Sequence, residues 1–164
     1  MSGIQVILAE FESSRAMLES FLADFSDEDL LVRPVPGANH AAWQIGNVIA
    51  GDPFLVKALL PDAAFPELPA GFGELHGRKG ATKDSDPGFL TKDGYMKLLK
   101  DVRAAAITAV SKLTDADLDK PAPESMSFAG PTVGSVLMFV TSHTLMHMGQ
   151  FSVIRRKLGK PVLF

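Results

Sequence analysis

Residues 132–159 read TVGSVLMFVTSHTLMHMGQFSVIRRKLG, and this stretch decides the fold. Val133, Val140, His147 and Ile154 fall seven apart, and Val136, Leu137, Phe151 and Leu158 fill the adjacent rows, which is the period of a helix. The ends agree with the middle. Thr132 is placed to cap the first turn, Gly159 to take the position after the last one, and Arg155, Arg156 and Lys157 to meet the negative end of the helix dipole. One long amphipathic helix is expected from Thr132 to about Leu158, and its stripe needs other helices to cover it.

Three further segments have that period. In the first, Ile4, Leu8, Phe11, Leu18, Phe21 or Leu22, and Phe25 recur mostly at three- and four-residue steps. The second starts near His40, with Asn39 as its expected N-cap, and carries the stripe Trp43, Asn47, Ala50 and Phe54; Pro53 is expected to kink or end it. The third follows Thr91 through Tyr95, Leu98, Leu99, Val102, Ala106, Ala109, Val110 and Leu113, and residues 113–118 read as a turn or one-turn helix. Between Leu60 and Thr91 lie too many prolines and glycines for extended regular structure. The expected fold is all-α: a four-helix bundle in one domain, residues 1–164, with a long crossover between the second and third helices. Such crossovers are often functional, so Phe72, Glu74 and His76 stand as a lid over a site, or else as part of a surface tether.

Composition removes several function classes. The 164-residue chain has a net charge of −3 and dispersed Lys and Arg, so nucleic acid and anionic membranes are not expected partners. With no cysteine there is no disulfide frame, thiolate nucleophile or sulfur-ligated zinc site. The N-terminus lacks the basic region and cleavage site of a signal peptide, and the uncharged stretch Ser125 to Ile154 is too interspersed with polar residues for a bilayer span. A cytoplasmic protein is expected.

The informative chemistry sits on the last helix. His143 and His147, four residues apart, project from one side and can reach a single metal ion; Gln150, three residues on, shares that side. The bland alternative is a pair of hydrogen-bonded core histidines. Asn47 weighs against it, because a second polar residue on an apolar stripe needs a partner. Trp43 and Phe54 are placed to line the same pocket, and His40 reads as a helix-start residue near solvent. Residues 143–147, His-Thr-Leu-Met-His, lack the glutamate of a zinc protease, no Glu-x-x-His pair supports a di-iron site, and there is no Gly-x-Ser-x-Gly. The chain end, Pro161 to Phe164, either docks on a second copy, as in a homodimer, or folds back on its own bundle.

Ala41-Ala-Trp-Gln-Ile-Gly-Asn-Val48, the long crossover, His143-Thr-Leu-Met-His-Met-Gly-Gln150 and Ile154-Arg-Arg-Lys-Leu-Gly159 together resemble the DinB-like (DinB/YfiT) superfamily of metal-dependent bundle proteins over nearly the whole chain. In that family one histidine of the second helix and two of the last usually hold a divalent metal, with water or substrate completing the shell. His143 and His147 match the latter two, and Asn47 stands where the family usually has histidine after Trp-x-x-Gly. The resemblance implies a zinc or nickel site weakened by an amide ligand, and an enzyme, transferase or hydrolase, acting on a small molecule, with low-molecular-weight thiols as cosubstrates among relatives. The alternative is a metal-free binding or scaffold bundle built on a vestigial site.

Overall fold

The four long helices of this chain start where a side-chain acceptor precedes an apolar run. The computed structural model describes residues 1–163 and contains α1 (Gly3–Leu22), α2 (Ala41–Leu59), α3 (Phe72–Leu75), α4 (Lys92–Val110), α5 (Asp115–Leu118) and α6 (Val133–Lys157). Ser2 and Gln5 form a capping box on α1, Thr91 caps α4, and Thr132 accepts from Ser135 N on α6 at 3.2 Å. Gly159, with φ of 68°, closes α6 where the sequence places its end. No described helix is long and apolar enough to cross a membrane.

Two local expectations are corrected. The cap of α2 is His40, not Asn39: its Nδ1 accepts from Trp43 N at 3.1 Å, and the residue is buried rather than near solvent because Nε2 bonds the Lys83 carbonyl at 3.0 Å. Nor does Pro53 end α2, which continues to Leu59. Proline inside a helix costs roughly 3 kcal/mol. Burying Leu55 and Val56 beyond it contributes about 1.5–3 kcal/mol each, which offsets that cost.

The long helices pack as a ring, α1 and α2 each lying mainly against α4 and α6. Their apolar stripes form two clusters. One holds Leu18, Ile49, Leu99 and Met148, the other Phe11, Leu55, Ala106 and Val140. Between these positions each long helix contributes a buried polar residue to one shared level, Ser14, Asp52, Arg103 and Thr144, with Thr141 and His147 also buried on α6. Arg103 is fully buried, and its five N–H groups have five acceptors. Nε and Nη2 donate to Asp52 at 2.7 and 3.3 Å, Nη1 to Ser14 Oγ at 2.9 Å and Phe11 O at 3.1 Å, and Nη2 to Thr144 Oγ1 at 3.0 Å.

The crossover is packed where it carries its short helix. Phe72 and His76 are buried, and Glu74 faces out, paired with Lys79 at 3.2 Å. At the other end of the molecule, Arg155 donates to Phe21 O, to Asp24 and to Pro161 O, tying the chain after α6 to the end of α1. Pro161 is thus held on its own bundle, while Phe164 lies outside the described residues.

Removing one partner of a buried ion pair strands the other, which costs about 3–5 kcal/mol, whereas replacing both with apolar groups is often neutral. Chemical denaturation of Arg103→Met is expected to show a loss of that size. The double variant Asp52→Leu/Arg103→Met is expected to recover most of it.

Candidate functional site

Thr144 faces Arg103, and His143 and His147 on the same helix reach Asn47 of α2. His143 Nε2 and His147 Nε2 lie 3.1 Å apart, and Asn47 Oδ1 is 3.1 Å from the first and 3.2 Å from the second. The three atoms make a nearly equilateral triangle. Among the described residues no three His, Cys, Asp or Glu side chains are grouped to hold a metal; the third corner here is an amide.

The orientation of each corner is set from outside. Asn47 Nδ2 donates to the His76 carbonyl at 2.7 Å, which turns Oδ1 towards the histidines. Gln44 Nε2 donates to Asn39 O at 2.8 Å, so its Oε1 faces His147 Nδ1 at 3.1 Å. An amide oxygen only accepts, so His147 carries its proton on Nδ1 and presents a bare lone pair at Nε2. Burial pushes both imidazoles below their ordinary pKa, with the Arg103 charge adding to the effect at His143 and His143 itself adding to it at His147, which falls to about 3. Both rings are neutral at pH 7, the form that binds a metal.

Ligands at about 2.0–2.2 Å around a tetrahedral centre lie roughly 3.3–3.6 Å from one another. The observed edges are within a few tenths of that range, and two imidazoles with one amide oxygen are a chemically competent, weak donor set for a divalent cation. The residues fit the group.

The other expected residues divide. Trp43 is half-buried beside His147, with ring centroids 6.2 Å apart, but its indole N–H is committed to Gly77 O at 3.0 Å, so it fastens the crossover to α2. Phe54 stands at the mouth of a cleft of about 460 Å³ that reaches Asn47 and His143. Gln150 does not join the triangle: the buried side of α6 runs through His147, Met148 and Phe151, and Gln150 falls beyond its edge, exposed. His76 points inward. The Phe72 carbonyl takes its Nδ1–H at 2.9 Å, so Nε2 accepts from Tyr95 Oη–H at 2.7 Å.

Sequence reasoning missed Gln44, Asp52 and Arg103. Each had a signal: Gln44 precedes Asn47 by three, and Asp52 and Arg103 are charges within apolar stripes.

The fold and the site together define a helical bundle in which paired histidines of the last long helix meet a polar residue of the second. The chain belongs to the DinB superfamily, whose family model matches residues 10–151. No curated protein and no solved structure matches it.

Gly46 explains part of the Trp-x-x-Gly-Asn pattern. A Cβ there would lie 1.9 Å from His76 Cδ2, and the ring is held at both nitrogens. In Gly46→Ala the overpacking cost of about 1–3 kcal/mol exceeds the helix-propensity gain of about 1 kcal/mol. The variant is expected to melt earlier and to be cut faster by protease within residues 60–91, as His76 is expelled.

Proposed function

We propose that Asn47, His143 and His147 hold a divalent cation, zinc or nickel, and that the protein is a metal-dependent enzyme, a transferase or hydrolase acting on a small molecule that enters by the adjoining cleft. The observation that carries this reading is a shortage of protons. Asn47 Oδ1 and His147 Nε2 are both lone-pair acceptors, and the single proton available to the triangle is one on His143 Nε2. A proton there serves at most the two edges that meet at His143 and leaves the lone pairs of Asn47 Oδ1 and His147 Nε2 facing each other at 3.2 Å, whereas a cation serves all three corners.

A cation held there supplies Lewis acidity to a donor atom arriving through the cleft. The chain's own residues do the rest. Gln44 fixes the tautomer of His147, the His76 carbonyl fixes the amide of Asn47, and burial keeps both imidazoles unprotonated. An amide oxygen binds zinc or nickel less well than imidazole, so the affinity is below that of a three-histidine site. The exposed apolar face of α6, Met138, Leu145, Met146 and Val153, supports a homodimer as the assembly that carries this site.

A metal-free binding role is the competing reading. It is favoured by the absence of any buried side-chain nitrogen or oxygen without a partner among the described residues. Metal content separates the two. Plasma mass spectrometry of untagged protein, purified without added metal or chelator, is expected to find near-stoichiometric zinc or nickel. In titrations, His147→Ala is expected to lose tight binding while still melting cooperatively, and Asn47→His to bind about tenfold or more tightly, the scale on which a metal's surroundings tune affinity. Protein that arrives empty and refuses both metals would overturn the proposal.

A further inference from the structure

The cleft beside the triangle specifies its occupant more narrowly than the donor atoms do. Its volume of about 460 Å³ is that of a small-molecule site. Its walls are Phe54, Leu55, Phe128 and Phe139, and its floor is Asn47 and His143. The rings form a continuous series: Phe128 stands edge-on to Phe139 at 5.6 Å, and Phe139 stacks on His143 at 6.1 Å with 15° between the planes. Phe54 and Phe128 are each 60% exposed, an unusual placement for two large apolar side chains at one opening. Gly51 keeps the way to the floor clear, since a Cβ there would come within 3.1 Å of His143 Cε1.

No Asp, Glu, Lys or Arg lines this cleft. Of the charges next to lining residues in sequence, Asp52, beside Gly51, is locked to Arg103, Glu74, beside Gly73, pairs outward with Lys79, and Arg78, beside Gly77, is exposed and does not line the cleft. An ionised ligand entering such a slot gives up hydration and meets no counter-charge from the side chains that line it. A flat, uncharged ring gives up little and gains aromatic contact on its way in.

We propose that this cleft receives an uncharged, ring-bearing small molecule, its ring held among Phe54, Phe128 and Phe139 and its one polar atom placed on the Asn47–His143 floor. The inference rests on the proposed site for the role of that floor, but the ring selectivity belongs to the walls alone. A ligand whose ring carries an ionised group finds no counter-charge on these walls. The cleft suits the neutral partner of a reaction.

The test is a calorimetric titration of three probes built on one ring, 2-naphthol, naphthalene-2-sulfonate and a naphthyl trimethylammonium salt, against wild-type, Phe54→Lys and Phe139→Ala proteins. Each is run after chelator treatment and again with zinc. Chelator-treated wild-type protein is expected to bind 2-naphthol about tenfold or more tightly than either ion, and zinc on the floor is expected to strengthen the sulfonate alone of the two ions. Phe139→Ala, shown folded by circular dichroism, is expected to lose about that factor for 2-naphthol. Phe54→Lys, altering an exposed position, is expected to narrow the gap for the sulfonate alone. Equal or tighter binding of either ion by chelator-treated wild-type protein overturns the inference, as does naphthol binding indifferent to both substitutions. Neutral selectivity that persists in protein refusing zinc would defeat the metal site and leave the inference standing.

Discussion

A guanidinium with no access to water must find an acceptor for every N–H, and Arg103 finds them on all three of the other long helices. That demand sets the bundle's register. It holds Asp52 of α2 and Thr144 of α6 at one level between the two apolar clusters, which by themselves would tolerate sliding. His143 and His147 flank Thr144, and Asn47 lies about a turn and a half before Asp52. The axial match of α2 with α6 that lets Asn47 meet both histidines is therefore fixed by an ion pair that touches none of them.

Around that register a second tier of contacts aims each donor atom. Gln44 belongs to the same helix as Asn47, but the partner of the Asn47 amide is a crossover carbonyl 29 residues away. The crossover is accordingly structural support for the site: His76 packs on Gly46, bonds Tyr95 on α4, and offers its backbone oxygen to Asn47, while Gly77 holds the Trp43 indole. This division of labour gives the Trp43-x-x-Gly46-Asn47 segment a physical reading. Trp43 and Gly46 seat the crossover, and Asn47 uses what the crossover presents.

The sequence made α6 legible because its cap, period and end signals all agree, and the His143–His147 pair followed from helical spacing alone. The ring of four long helices and the length of the crossover were equally readable from periodicity and from breaker content. Pro53 does not end α2, as its local penalty allowed, because the burial of Leu55 and Val56 beyond it offsets that penalty. His40 was misread because its second hydrogen bond is donated to the carbonyl of Lys83, far along the chain. Gln150 was grouped with the histidines on spacing, although a step of three also carries a side chain towards the edge of a buried face. Gln44, Asp52 and Arg103 were visible only as polar interruptions, whose partners depend on which helices become neighbours.

The claim at the centre is that His147 offers a bare Nε2 to a cation shared with His143 and Asn47. Long-range proton–nitrogen correlation spectra of the histidine side chains, recorded before and after one equivalent of zinc, test it most directly. The account predicts His147 protonated on Nδ1 throughout, with the Nε2 signals of His143 and His147 shifting together on zinc addition while those of His40 and His76 stay in place. A proton on His147 Nε2, or a His143–His147 pair that zinc leaves unmoved, would contradict it.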